Sequence, residues 1–352
     1  MVGSNNYLGL ADDPRVVSKA EQCLLKYGSG CTGSRFLNGT LDIHVELEEK
    51  LAAFEGKQSA LCFSTGFTTN CGTVSTLPQR GDVIIADKRS HASLMDGFAL
   101  SAAKLTRFAH NDVAHLETLL EKHASNTAGG TFVVTEGMFS MEGDLSPLDK
   151  IVPLVKKYGA RIMVDEAHSV GIMGPGGRGT AEECGVLADT DIIMGTFSKS
   201  FASMGGFIAG DDSVISYVKH NSRFMIFSAA MSPAAVGACL ASLEIMQTEP
   251  ERRVRVRAIA DRVRAELKRI GFNLGHSTTP VVPIVIGDKD TTFLMWRWLL
   301  DHGLYCNPVI PPAVDADACL LRTSYMATHT DEQLDRVVEL FGEAGRHFKV
   351  IP

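Results

Sequence analysis

Short, continuously apolar runs rich in β-branched residues recur along much of the chain, and a helical pattern separates each from the next. Val83–Asp87, Thr131–Thr135, Arg161–Asp165 and Asp191–Gly195 are the clearest; Ala60–Phe63 and Gly206–Ala209 extend the series. Between them, Val113, Leu116, Leu119 and Leu120 fall on one helical face. Pro147 stands at the first turn of another helix, with Ile151, Leu154 and Val155 on its apolar side. A strand that is apolar at every position must be covered on both faces. Helices alternating with such strands supply that cover, so the pattern predicts an α/β core with a mostly parallel sheet.

The pattern changes after about residue 230. Ser232–Met246 reads as a long apolar helix and Glu251–Ile270 as a basic one. Three short strands near 281–286, 304–309 and 319–324 then mix with helices, the last opening on the capping-box spacing Thr330-Asp331-Glu332-Gln333. The expected division is an N-terminal segment 1–20, a large domain 21–232, and a small α+β domain 233–352 that includes a connecting helix. The arginines between Arg252 and Arg269 are interleaved with valine, alanine and isoleucine, which makes them one solvated face of an amphipathic helix. A formal net charge of −7 likewise argues against a nucleic-acid partner.

With 45% hydrophobic residues in 352, the chain can build a large core. No apolar run approaches the ~20 residues that span a bilayer. The opening MVGSNNYLGL lacks the basic and apolar regions of a signal peptide. Eight cysteines are scattered without a C-x-x-C pair, mostly among apolar residues, as expected of reduced thiols in a cytoplasmic protein. No Cys/His spacing predicts a metal site.

Four segments carry candidate chemistry, three of them just beyond an apolar strand, where open α/β sheets bind their ligands. In Val164-Asp165-Glu166-Ala167-His168, a carboxylate closes the strand and could hold a proton on a heteroaromatic nitrogen. In Gly195-Thr196-Phe197-Ser198-Lys199-Ser200, two hydroxyls suited to phosphate flank a lysine suited to Schiff-base chemistry. Ser64-Thr65-Gly66-Phe67-Thr68-Thr69-Asn70 places a glycine at a helix start, a cradle for phosphate. Ser90-His91-Ala92-Ser93 brings a flat imidazole to the same rim. Gly174-Pro175-Gly176-Gly177-Arg178-Gly179 matches G-x-G-x-x-G only formally. The strand ends at Asp165, too early to run into the first glycine, so no dinucleotide site is expected.

In order along the chain, these motifs resemble the α-oxoamine synthases, pyridoxal-phosphate (PLP) enzymes of fold type I, the aspartate-aminotransferase fold. The resemblance runs from Ser4-Asn5-Asn6-Tyr7-Leu8-Gly9 through Thr32-Gly33-Ser34-Arg35, Asn38-Gly39-Thr40, Glu136-Gly137-Met138-Phe139-Ser140 and Gly143-Asp144 to Leu320-Leu321-Arg322. It implies that Lys199 binds PLP covalently, Asp165 pairs with the pyridine nitrogen, and His168 and Ser140 lie by the phenolic oxygen. It implies that His91 stacks on the ring, that Gly66, Phe67, Thr196 and Ser198 bind the phosphate, and that Ser64 is a further cofactor-binding residue. Arg322, helped by Asn5, would grip the substrate carboxylate. The family joins an amino acid to an acyl-CoA or acyl-carrier-protein thioester and releases carbon dioxide. Its members are usually homodimers, in which Ser228 would reach the neighbour's phosphate; Ala230 stands where relatives commonly carry serine.

Thr32-Gly33-Ser34-Arg35, Leu37-Asn38-Gly39-Thr40 and Gly195–Ser200 look most like members that take L-serine and a long acyl-CoA. Arg107–Val113 and Val133–Gly137 look more like members that take L-alanine and a pimeloyl thioester. A glycine-specific acetyltransferase is a further alternative, and a non-catalytic subunit of the same fold would have lost Lys199. Serine at position 34 leaves room for a substrate side chain that threonine would crowd. Relatives also carry a segment ahead of Asn5-Asn6-Tyr7, so the chain is expected to be a piece of a longer protein or to have an open acyl entrance.

Overall fold

The structure is a computed structural model that describes residues 1–124 and 129–352. These residues form two compact units. The larger comprises Leu10–Met138 and Ser146–Thr248; the other comprises Met1–Gly9, Phe139–Leu145 and Glu249–Pro352.

In the larger unit, α1 (Pro14–Tyr27) and α2 (Asp42–Glu55) precede β1 (Ser59–Phe63). Then come α3 (Gly66–Val74), β2 (Val83–Asp87), α4 (Ala92–Leu100), β3 (Lys104–Phe108) and α5 (Val113–Ala124). β4 (Thr131–Glu136), α6 (Leu148–Lys157), β5 (Arg161–Asp165), the short α7 (Thr180–Glu183) and β6 (Ile192–Thr196) follow. β7 (Gly206–Gly210), α8 (Asp212–Asn221), the short α9 (Arg223–Ile226) and α10 (Pro233–Thr248) complete it.

The seven strands lie in the order β1-β7-β6-β5-β4-β2-β3. Every neighbouring pair from β6 to β3 is parallel, and only β7 runs antiparallel to the strands beside it. This is the expected mostly parallel sheet. Alternate residues supply two cores. Ile85, Val133 and Val164 pack with α5 and α6 on one face, while Ile84, Val134 and Met163 pack with α3, α4 and α8 on the other. β3 was not legible in the sequence. It is an edge strand with the mixed sequence KLTRF, largely solvent-facing, and carries no apolar run.

The smaller unit holds α11 (Glu251–Arg269), β8 (Val281–Gly287), α12 (Lys289–Asp301), β9 (Asn307–Val309), β10 (Cys319–Ser324) and α13 (Asp331–His347). Its antiparallel sheet has the order β8-β10-β9. Val263, Leu267, Ile284, Leu299, Leu321 and Phe341 form its core. Thr330 caps α13 with Gln333 in the expected reciprocal pair. On α11 Val256, Ile259, Ala260, Val263 and Leu267 are buried while Val254 is exposed, and Arg262 on the polar side meets Glu266, Asp331 and Asp335.

The division departs from the sequence expectation at three places, one of them Phe139–Leu145, which lies within the expected large domain but belongs to the smaller unit. α10 belongs with the larger unit because it packs against α1: a Cβ at Gly237 would lie 2.7 Å from the Lys19 carbonyl oxygen. The first nine residues belong with the C-terminal unit. The Val2 amide donates to Tyr305 O, and the Ser324 amide donates to Val2 O, each at 2.8 Å.

Candidate active site

Because β2, β4, β5 and β6 run parallel, their last residues (Asp87, Glu136, Asp165 and Thr196) share one rim of the sheet. Glu136 and Asp165 sit side by side in register across β4 and β5. A cavity of about 280 Å³ opens at this rim, lined by His91, Asp165, His168, Thr196, Ser198 and Lys199 together with Gly66 and Phe67. Eight of the residues singled out from sequence are therefore brought together.

Asp165 is almost fully buried. Its Oδ1 accepts the Ala167 amide at 2.9 Å and its Oδ2 accepts Asn70 Nδ2 at 2.7 Å. Two neutral donors hold the carboxylate at the cavity wall, where it can face a protonated ligand atom. His91 caps α4: its Nδ1 accepts the Ser93 amide at 3.2 Å, and the Ser93 hydroxyl lies 2.8 Å from the same nitrogen. Burial lowers the His91 pKa and the Lys199 charge adds to that, while Asp165 opposes it. The His91 amide donates to Glu136 Oε1 at 2.6 Å. Glu136 is held well above the usual carboxylate range, first by burial and then by the neighbouring Asp165.

At the other end of the cavity lies the N-terminus of α3. Thr65 caps it by accepting the Thr68 amide at 3.0 Å. The amides of Gly66 and Phe67, in the first helical turn, have no intrahelical partner and are available to an anion. Thr196 Oγ1 lies 3.1 Å from Ser198 Oγ. A Cβ at Gly66 would come within 2.5 Å of that Thr196 oxygen, so glycine is what leaves the cradle open.

Ser64, Ser34 and Ser228 do not line the cavity. Ser64 donates its hydroxyl to the Ala229 carbonyl, outside the cavity lining. Ser34 bridges Ala229 through the backbone, and its buried hydroxyl has no partner. Ser228 sits on a surface groove with Tyr217, Arg223 and Phe227.

Asn5, Ser140 and Arg322 all belong to the smaller unit and converge there. Arg322 Nε donates to Ser140 O at 2.6 Å, and Nη2 donates to Asn5 Oδ1 at 3.0 Å. Only 4% of Arg322 is exposed, yet among the described residues no carboxylate pairs with it. Such a guanidinium is an anion receptor. Tyr7 packs beside it, its pKa raised by burial against the opposing charge of Arg322.

Asn70, Ser93 and Glu136 also line the cavity, although sequence reasoning gave them no role. Asn70 is an interior helix position with no local signal; Glu136 ends its strand as Asp165 does, and that parallel was the available clue. The glycine-rich stretch 174–179 is no dinucleotide loop. Its amides are spent on acids: Gly174 N on Glu183, and Gly176 N and Arg178 N on Glu182. Among the described residues no cluster of His, Cys, Asp and Glu is placed to hold a metal ion.

The donor set fits PLP: hydroxyls and helix amides for a phosphate, a buried carboxylate for a ring nitrogen, and an amine for an aldehyde. Comparison with known proteins agrees. The model of aminotransferase class I and II matches residues 2–341. Serine palmitoyltransferase of Bacteroides thetaiotaomicron is 49% identical over 342 residues, covering 96% of this chain and 86% of that protein. 8-Amino-7-oxononanoate synthase of Geobacter sulfurreducens is 39% identical, covering 99% and 89%. Among solved structures, a serine palmitoyltransferase variant from S. paucimobilis with a bound PLP–myriocin aldimine superposes with a TM-score of 0.96 at 40% identity, covering 99% of this chain and 88% of that one. The chain belongs to the class I and II aminotransferase family, among its PLP-dependent α-oxoamine synthases.

Proposed function

We propose that the chain condenses L-serine with a long-chain acyl-CoA, releasing CoA and carbon dioxide and leaving an α-amino ketone. The observation that carries this reading is 49% identity to a serine palmitoyltransferase across nearly the whole chain, over a cavity lined by both Lys199 and the buried Asp165. PLP, when bound, supplies an electron sink for the carbanion formed at the amino acid's α-carbon.

The chain's own residues do the rest. The Gly66 and Phe67 amides, Thr196 and Ser198 hold the phosphate, with Ser64 a weaker candidate. Asp165 faces the ring nitrogen, His168 and Ser140 attend the phenolic oxygen, and His91 lies against the ring. Lys199 Nζ removes the α-proton and returns a proton after decarboxylation. Arg322, with Asn5, holds the serine carboxylate. Ser34 leaves space for the hydroxymethyl group.

Two copies assemble in this reading, Ser228 of each serving the other's phosphate. In support, Ser228 stands away from its own cavity, and Phe227 beside it in the surface groove is 73% exposed, apolar material for that surface to bury. All eight cysteines are unpaired, which suits the cytoplasm. Among the described residues no helix is long and apolar enough to cross a membrane.

The test is a matrix of glycine, alanine and serine against acetyl, pimeloyl and palmitoyl thioesters on CoA and on acyl carrier protein, read as thiol and carbon dioxide release. Serine with palmitoyl-CoA is the expected best pair. Turnover confined to alanine with the pimeloyl thioester, or to glycine with acetyl-CoA, overturns the substrate assignment.

A further inference from the structure

Asn70 is 2% exposed and lies on α3, facing the ends of two other elements. Its amide nitrogen donates one hydrogen to Asp165 Oδ2 at 2.7 Å and the other to Ser93 Oγ at 3.0 Å. Its Oδ1 is buried without a partner. Turning the amide over would gain nothing, because the carbonyl oxygen would then face the Asp165 carboxylate; the orientation follows from the neighbours. Ser93 Oγ, having accepted from Asn70, has its own hydrogen to give. The acceptor in reach is His91 Nδ1 at 2.8 Å, which also receives the Ser93 amide at 3.2 Å. A ring nitrogen that accepts twice carries no proton, so the ring hydrogen sits on Nε2.

We propose that Asn70 is a positioning residue which couples Asp165 to His91 through the Ser93 hydroxyl and so fixes the imidazole as its neutral Nε2–H tautomer at the cavity wall. This rests on the reading of the cavity as a PLP site, because a ring that stacks on a flat cofactor must be held in one plane and one charge state. The charged groups that face His91 come from three elements: Asp165 from β5, Glu136 from β4, and Lys199 beyond β6. Asp165 favours the imidazolium, while burial, Lys199 and the Ser93 donors favour the neutral ring. Asn70 acts on both sides of that balance, since it holds the carboxylate with one hydrogen and orients Ser93 with the other.

The experiment uses the full chain labelled with [15N]histidine, first free of cofactor and then loaded with PLP, with His91→Gln to identify the His91 resonances. The wild type should show a neutral Nε2–H ring that titrates below the ordinary histidine value of about 6.5. Asn70→Ala and Asn70→Ser should raise the half-protonation point by at least about half a pH unit and give a mixed-tautomer pattern at Nδ1. Ser93→Ala should do the same, and Ser93→Thr, which keeps the hydroxyl, should restore the wild-type spectrum. A merely structural role would lower the melting temperature and leave the tautomer in place. Folded Asn70 variants with an unchanged His91 tautomer and midpoint overturn the proposal. If neither Asn70 variant folds, an unchanged His91 in Ser93→Ala does so. Failure of the wild type to bind PLP would overturn the cofactor reading instead, and the cofactor-free spectra would still decide the coupling.

Discussion

Arg35 and Glu48 meet in a two-point salt bridge, Nη1 to Oε1 and Nη2 to Oε2, each at 2.8 Å, with both side chains largely buried. Glu48 Oε1 also accepts the Cys62 amide at 2.8 Å, so the pair ties the loop carrying Ser34 to α2 and to β1. Removing one partner strands the other's charge in the interior. Glu48→Gln should therefore destabilise the chain by about 3–5 kcal/mol, and replacing both residues with apolar ones of similar volume should recover much of that. Urea melts of the two variants check it. A loss of under about 1 kcal/mol in Glu48→Gln would mean that the bridge behaves as an exposed one.

Among the described residues Lys199 is the one lysine in the cavity lining. Lys199→Ala should abolish the visible absorbance that PLP acquires on covalent binding, and should lower turnover by about 10²–10⁴-fold through loss of the proton-transferring amine. Absorbance spectra and thiol release on the same samples test both. An unchanged spectrum would place the covalent bond elsewhere and remove the basis of the reaction assigned above.

Much of this site was legible because chemistry follows strands in a parallel sheet. β2, β4, β5 and β6 announce themselves as unbroken apolar runs, so Asp165, Thr196, Lys199 and His91 could be placed on one rim before any coordinates. What stayed hidden is non-local. Asn70 touches Asp165 across 95 residues of chain, and nothing around either residue signals the pairing. The N-terminal residues join the C-terminal unit through the Val2 bonds to Tyr305 and Ser324, and backbone hydrogen bonds carry no side-chain signature. The contact of the Ser64 hydroxyl with the Ala229 carbonyl is hidden for a related reason: it spans 165 residues of chain.

Arg322 makes two hydrogen bonds to neutral oxygens and none to a carboxylate among the described residues. Lysine would keep the charge and lose the planar fork that grips a carboxylate at two points. Arg322→Lys should raise the KM for the amino acid by about 10–100-fold, the equivalent of one charge-assisted bond at about 1.5–3 kcal/mol. The change in kcat should be smaller, because the grip is made in ground and transition states alike. Steady-state kinetics with the acyl donor saturating separates the two. A lowered kcat with unchanged KM would show that Arg322 acts in the chemical step instead.

Glu55, at the C-terminal end of α2, is fully buried, and neither carboxylate oxygen has a hydrogen-bond partner. Burial pushes its pKa well above the usual range, and the nearby Glu166 adds to the shift while Arg178 opposes it. In the unfolded chain the same group loses its proton near pH 4.3, so above about that pH the unfolded state binds fewer protons than the folded one. Stability contributed by the protonated form is full below that point and is lost as pH rises through the folded-state pKa. Glu55→Gln removes the titration, and Glu55→Met also removes two unpartnered oxygens, a gain of about 1–3 kcal/mol. The melting temperature of either variant should draw ahead of wild type as pH rises from 5 toward 8. Glu136 is raised in the same direction and stays in both proteins, so the difference between the two curves isolates Glu55. A gap that does not widen with pH would show that the carboxyl is solvated or paired in solution, and the burial argument for its protonation would fail.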